Sequence, residues 1–378
     1  MFVHSGRLPH VLTPEQYCSP AQYERELAAL FRPGWHLAAT VGELPRSGDF
    51  RTFELLGRSV QLRNINGRFH AFSNVCAHRH CLLTSQARGH DPKIRCQYHG
   101  WQYDCDGRTA QIPEPKNFAP FTDRAADSLE QFRVETCGQL LFVSLDRAAP
   151  PLAEQFADDH ATIATAAGEG WRLAWSHAID LPTNWKVPLE NSVEGYHVPA
   201  VHPQTFKEAP TPERTTHILG PRSTSFHANR LTPSVVEQVL YALDDWLLLW
   251  LGHTPARAYS HHHFFPNLLL SSTDTTSLFI AIVPVTPERS RAVIRMFAYE
   301  GAQSSYATRQ ACRLWGKVNR TLARLILAED FAIYPAIQRG LAASTQPGCL
   351  GAIEERVHAF QRWISDRTGE PTDGRCPA

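Results

Sequence analysis

The sequence predicts an α+β protein: a small all-β domain that presents a metal centre, then a larger domain in which an antiparallel sheet is covered by helices. Three observations predict it. Short β-type runs cut by Gly and Asn-Gly turns fill residues 46–148, two boxes of paired Cys and His lie among those runs, and long helical patterns close the chain.

The totals bound the function. The 378 residues suffice for about two domains with a sizeable core. Lys and Arg number 37 and Asp and Glu 37, so no basic excess points to nucleic acid or to an anionic membrane. The longest apolar run, Trp246–Leu251, is too short to span a bilayer. Nine Cys is an odd number, and the N-terminus MFVHSGRLPHVL lacks the apolar core of a signal peptide, which predicts a reducing cytoplasm rather than a disulfide framework.

In chain order, Ser19-Pro20-Ala21-Gln22 reads as a helix start, with Ser as N-cap and Pro at the first position. Tyr23, Leu27, Leu30 and Phe31 then share a face until Pro33-Gly34. From Gly48 the pattern turns to strands: Phe50–Leu56, Ser59–Asn64 and Arg68–Ser73, separated by Gly57 and by Asn66-Gly67, a strong hairpin signal. Lys93–Cys96, Trp101–Tyr103 and the apolar Gln139–Leu145 continue the β region, and Asp146–Pro151 reads as a linker. Beyond it, Trp171–Asp180 is strand-like, Trp185–Tyr196 helix-like, and Tyr259–Glu300 a run of strands cut by Asn267, Asp274 and Pro287. Leu314, Val318, Leu322, Leu325 and Ile326 share one helical face, as do Ile353, Val357, Phe360 and Ile364.

The chemistry concentrates in two places. Cys76-Ala77-His78 and Cys96-Gln97-Tyr98-His99 each pair one thiol with one imidazole, and Gly100-Trp101 follows the second. This suits a Rieske-type [2Fe–2S] cluster, in which two Cys hold one iron and two His the other. The competing reading is a Cys2His2 zinc site, but zinc boxes pair Cys with Cys and His with His ahead of a helix. The second place is NWKVPLENSVEGYHVPAVHP (184–203), where Glu194 precedes His197 and His202 follows. Two His and a carboxylate hold iron(II) with open positions. The H-x4-H spacing puts the rings about 140° apart on an ideal helix; Pro199 is expected to break the helix and bring His202 back. The third ligand is Glu329 or Asp330, and periodicity does not separate them, since both flank the apolar stripe.

Together the two boxes, EGYHVPAVH and the late Glu-Asp resemble the α (catalytic) subunit of Rieske non-haem iron oxygenases, over nearly the whole chain. The resemblance implies an N-terminal helical segment (1–45), a Rieske domain (46–148) and a catalytic mononuclear iron domain (149–378). It implies that Cys76, His78, Cys96 and His99 hold the cluster, and that His197, His202 and Asp330 hold the iron. Glu194 would take the place of the acid that bridges an iron-ligating His to the second cluster His, here His99, of a neighbouring subunit. Asn184 matches a polar residue often near the iron. The implied activity is hydroxylation or oxidative demethylation of a small organic substrate with O2. Electrons would come from NAD(P)H through a separate flavin/iron–sulfur reductase, and the assembly would be a homotrimer.

Two departures carry information. Cys81 stands where respiratory Rieske proteins place a loop disulfide, but Gln97 and Tyr98 occupy the partner positions, so a free buried thiol is expected. That favours the lower part of the Rieske range, from roughly −150 mV. Glu194 replaces the Asp usual in ring dioxygenases and looks like a subset that includes oxygenases of quaternary ammonium compounds such as carnitine. Phe226, Tyr241, Trp246, Trp250, His261, His263 and Phe265 are pocket candidates, able to stack on an arene or cage a quaternary ammonium, although Trp246–Leu251 also reads as packing. In His261-His262-His263, strand alternation points the middle ring to the opposite face. Two other classes remain: a Rieske electron carrier fused to a non-catalytic binding domain, and a zinc-stabilised binding protein.

Overall fold

A computed structural model describes residues 1–118, 127–203, 211–229 and 235–369. The chain divides into two compact units, residues 32–155 and residues 1–31 with 156–378. The sequence expectation of a separate segment 1–45 differs from this division in a definite way. His36–Thr40 (HLAAT) is a strand of the smaller unit, buried at every position, and it lacks the apolar–polar alternation that marks a half-buried strand. Residues 1–31 belong to the larger unit instead.

The smaller unit is built on a seven-stranded antiparallel sheet, in the order His36–Thr40, Leu140–Ser144, Gln131–Cys137, Arg68–Ser73, Arg58–Ile65, Asp49–Leu55, Arg88–His90. The hairpins fall where the turn chemistry puts them. Ile65 pairs with Arg68 across Asn66-Gly67, whose φ values of 53° and 83° make the type I′ turn that matches strand twist. A three-stranded sheet of Ile94–Arg95, Gln102–Tyr103 and Thr109–Gln111 carries the second Cys–His box. Phe72, Leu83, Ile94, Trp101, Tyr103 and Leu129 pack with Cys76 and Cys96 into one buried cluster beneath both boxes.

The larger unit has a seven-stranded antiparallel sheet, in the order Trp171–Leu181, Arg289–Tyr299, Thr276–Thr286, Leu268–Ser272, Ala258–Phe264, Ser223–Asn229, Thr215–Leu219. The long helix Tyr306–Ala343 crosses it closely at Gly316, where a Cβ would stand 2.9 Å from that of Ala298. The closing helix Glu355–Thr368 buries Val357, Phe360 and Ile364, as its spacing predicts. Phe360 and Phe31 both meet the Trp185 ring edge-on, at 5.7 and 4.8 Å. No described helix is long and apolar enough to cross a membrane.

Two helices bury polar side chains that apolar periodicity does not mark. After the Ser19 cap, Leu27, Leu30 and Phe31 are buried as the spacing predicts and Tyr23 is half-buried, but within Pro20–Glu26 the buried residues are Gln22 and Glu26. Glu26 forms a fully buried ion pair with Lys186 Nζ at 2.7 Å and also accepts the Trp185 indole N–H at 2.7 Å. Lys186 Nζ donates further to the Gln16 carbonyl at 3.0 Å. Such a pair is tolerable only because each charge is hydrogen-bonded several times, and it ties the N-terminal segment to the helix leading into the second site. In Tyr306–Ala343 the expected apolar face is not the buried one: Leu314 and Leu325 are 65% and 58% exposed, while the buried positions near the C-terminal end are Asp330, Tyr334 and Gln338.

Candidate metal centres

The first centre is two loops held by their own backbone. In the first box the Cys76 N–H donates to the Cys81 carbonyl (2.8 Å) and the His80 N–H to the Cys76 carbonyl (3.0 Å). In the second the Cys96 N–H donates to the Trp101 carbonyl (2.8 Å) and the Gly100 N–H to the Cys96 carbonyl (3.1 Å). Gln97 N–H donates to the Leu83 carbonyl at 3.0 Å and joins the loops. The result brings the four predicted residues together. Cys76 and Cys96 are both buried, and the His78 and His99 rings meet edge-on with centroids 4.8 Å apart. Burial raises the Cys76 thiol, and its neighbour Cys96 raises it further. Two buried cysteines opposite two imidazoles are the donor set of a Rieske-type iron–sulfur cluster, and the residues present fit it. Cys81 is a free, half-buried thiol, and no disulfide joins the described residues of the loops.

Tyr103 was not singled out by the sequence reading. Its hydroxyl lies 3.0 Å from Cys76 Sγ and accepts the Ala77 N–H at 3.1 Å. The signal was present as the polar-tipped aromatic closing the strand after the second box. His78 stacks flat on Trp101 (4.7 Å, 3° between planes), which fixes its ring, whereas His99 is exposed with Tyr98 against it at 3.7 Å.

The second centre is assembled from a break in one helix and the middle of another. The helix expected over Trp185–Tyr196 ends earlier: it spans Lys186–Ser192, and the chain opens before a single turn, Val198–Val201. His197 and His202 are the caps of that turn, with Pro199 inside its first positions. Pro199 therefore starts a helical turn rather than breaking one, and the break that reorients the two His lies upstream of His197. Their rings stand 5.4 Å apart.

Asp330 Oδ1 lies 3.0 Å from His202 Nε2 and 3.6 Å from His197 Nε2. One ligand atom from each of the three residues falls within 4.8 Å of the others, a set that could hold a metal ion. Two imidazoles and one carboxylate, with the rest of the sphere open, fit non-haem iron(II). Asp330 Oδ1 thus faces the Nε2 atoms of both rings, whereas Glu329 Oε2 sits 2.8 Å from His202 Nδ1, on that ring's far side. His197 Nδ1 is likewise held by Glu194 Oε1. For His197, burial is the largest influence and lowers its pKa, but Glu194 and Asp330 outweigh it and the net shift is upward. Asp330 is raised, chiefly by burial, against the opposing pull of Asn191, His202 and His197.

Asn184 is not brought to this triad by its hydrogen bonds. Its amide donates to the Pro287 carbonyl at 2.7 Å, and its side-chain carbonyl accepts the Lys186 N–H at 3.0 Å. The amide that reaches Asp330 is that of Asn191, near the end of the helix Lys186–Ser192, with Nδ2 2.9 Å from Oδ1. The pocket candidates also divide. His263 Nε2 donates to the Pro266 carbonyl at 3.0 Å and its ring packs on Phe360 and Phe265; His261 accepts from Arg356 at 3.2 Å; all are core residues. Trp246 and Trp250 are 56% and 46% exposed, contrary to the packing reading, because Leu247 and Leu248 form the buried side of their helix. Tyr241 is half-buried. Phe226 meets Tyr259 edge-on at 6.0 Å. The Tyr259 hydroxyl is raised, chiefly by burial, against the opposing pull of Ser271 and Arg356.

Comparison with known proteins adds an independent line. Residues 34–133 match the Rieske [2Fe-2S] domain, and residues 169–370 match the ring hydroxylating alpha subunit (catalytic domain). The first match displaces the zinc reading of the boxes. The anthranilate 1,2-dioxygenase large subunit of Acinetobacter baylyi is 31% identical over 196 residues, 50% of this chain and 41% of that one. The glycine betaine monooxygenase oxygenase subunit of Pseudomonas aeruginosa is 31% identical over 205 residues (54% and 46%). The carnitine monooxygenase oxygenase subunit of Escherichia coli is 29% identical over 236 residues (57% and 62%). The matched stretches thus span about half the length of these relatives. In fold, the chain is similar to a quaternary ammonium Rieske monooxygenase (TM-score 0.76, 19% identity, 97% of this chain and 96% of that one) and to naphthalene 1,2-dioxygenase (TM-score 0.74, 17% identity, 94% and 92%).

Proposed function

Because the chain belongs to the ring-hydroxylating alpha-subunit family, we propose that it is the oxygenase component of a Rieske non-haem iron system. It hydroxylates or oxidatively demethylates a small organic substrate, an aromatic compound or an N-methylated or quaternary amine. A separate NAD(P)H-dependent reductase supplies the electrons, and the working assembly is a homotrimer. The observation that carries the reading is the convergence of His197 Nε2, His202 Nε2 and Asp330 Oδ1, with the outer nitrogen of each ring held by a glutamate.

When bound, the cluster supplies single electrons and the mononuclear iron the place where O2 is reduced. The chain's own residues do the rest. Cys76, Cys96, His78 and His99 hold the cluster, and the Tyr103 hydroxyl donates to the Cys76 sulfur. His99, exposed at the loop tip, is the exit toward Glu194 of a neighbouring chain. Glu194 keeps one oxygen on His197 Nδ1 and the other on the backbone N–H groups of Tyr196 and His197, so its carboxylate is fixed in orientation. Asn191 holds Asp330 in place, and Tyr334 stands behind it. Phe226 and Tyr259 offer aromatic faces that suit either substrate class.

The test is a reconstituted assay of substrate-dependent NADH consumption across betaines, carnitine-like amines and aromatic acids, with iron counted per chain. One mononuclear iron beside each cluster, with coupled product, is the expected result. A chain that binds only the cluster and turns over nothing sinks the oxygenase reading in favour of an electron carrier.

A further inference from the structure

We infer that Glu329 is a positioning residue that sets the tautomer and tilt of His202 and so prepares its Nε2 to bind iron; this rests on the proposed mononuclear site. The long helix grips one imidazole at both nitrogens. Asp330 meets Nε2 at 3.0 Å, while Glu329, adjacent in sequence and one methylene longer, reaches the far nitrogen Nδ1 at 2.8 Å. A carboxylate accepts and does not donate, so the proton of a neutral His202 ring is held on Nδ1. Its lone pair is then on Nε2, directed at Asp330 and His197. A ring free to flip would present a proton there in some fraction of molecules and bind no metal in that state.

The two glutamates are not equivalent. Glu194 lies three residues before its own histidine and is also anchored by local backbone N–H groups. Glu329 acts across a separation of 127 residues, from a different element. His202 is nearly inaccessible, with 2% of its side chain exposed, so its Nδ1–H has little water to turn to if the carboxylate is removed. The role of Glu329 is thus to couple the long helix to the single turn Val198–Val201.

The experiment measures iron(II) affinity anaerobically, by competition with a chromogenic chelator, on the full chain with its cluster assembled. Wild type, Glu329→Ala, Glu329→Gln and Asp330→Ala are compared, with cluster absorbance and apo-protein melting recorded for each. Glu329→Ala is expected to weaken iron binding by about tenfold or more. Glu329→Gln should recover part of that loss, because its side-chain carbonyl can still accept the Nδ1–H. Cluster absorbance should be unchanged in all. Wild-type affinity in Glu329→Ala, or a loss that Glu329→Gln does not recover at all, overturns the positioning role. Failure of wild type to bind, or undiminished binding by Asp330→Ala, overturns the mononuclear site itself, so the two failures are distinguishable.

Discussion

Replacing Tyr103 by Phe removes one oxygen atom from the protein side of the cluster loops. The ring stays in the buried group with Phe72, Ile94, Trp101 and Leu129, so packing is preserved and the hydroxyl is isolated as the variable. That hydroxyl serves Cys76 Sγ at 3.0 Å and the Ala77 N–H at 3.1 Å. A hydrogen bond to a charged acceptor is worth about 1.5–3 kcal/mol. Only the part that grows when the sulfur gains negative charge on reduction alters the potential; taking this as about 1 kcal/mol and about 1.4 kcal/mol per 59 mV for a one-electron couple gives roughly 40 mV. The donor favours the reduced, more negative state, so the variant's potential should fall by that amount. The abandoned Ala77 N–H should also lower stability, by about 1–3 kcal/mol. A redox titration followed by circular dichroism in the visible reads the first effect, and chemical denaturation the second. A potential that stays put or rises refutes the assignment of the hydroxyl as donor to Cys76.

Three further outcomes follow from other parts of the fold. Lys186→Ala leaves Glu26 charged and unpaired in the interior and should cost about 3–5 kcal/mol, whereas replacing both residues by Met should recover most of it; urea denaturation of the two variants decides. Gln338→Leu deprives the buried Asn184 N–H of its acceptor at 2.8 Å and should lower stability by about 1–3 kcal/mol, seen as a reduced denaturation midpoint at unchanged slope. Burial is the first cause that lowers the pKa of His217 and His262 to about 4 and of His263 to about 3. The fold therefore favours their neutral forms. The stability they contribute is fully present above the ordinary His value of about 6.5 and is lost as the pH falls from there toward those folded values, on the order of a few kcal/mol in all. A melting temperature that stays flat from pH 7 to pH 4 by far-ultraviolet circular dichroism contradicts this.

What could be read from the chain was whatever its own neighbours determine. The two Cys–His boxes are contiguous, and alternation with Gly57 and Asn66-Gly67 placed Arg58–Ile65 and Arg68–Ser73 to within a residue. His197 and His202 were legible for the same reason. What could not be read depends on partners far away. Leu314 and Leu325 look like a core stripe, yet the buried line near the site is Asp330, Tyr334 and Gln338, whose polar groups are satisfied by Asn191 and by Thr183 and Asn184. Hydrophobic periodicity is blind to a face made of hydrogen bonds. Asn184 and Asn191 illustrate the limit: Asn184 lies just before the helix Lys186–Ser192 and Asn191 near its end, and the pattern alone does not tell which one meets Asp330.

The two histidines of the triad therefore answer to different parts of the molecule. His197 is set by its own segment, since Glu194, the backbone at Tyr196 and the ring all lie within four residues. His202 is set by the long helix, through Glu329 on one nitrogen and Asp330 on the other. The helix is in turn held by Gln338, which grips the entry to Lys186–Ser192, and that entry is held by the Lys186–Glu26 pair to the N-terminal segment. Residues 1–31 thus reach the triad through a chain of buried polar contacts and not through apolar packing alone. A triad divided in this way holds one ring by its own segment, through Glu194, while the other follows the long helix.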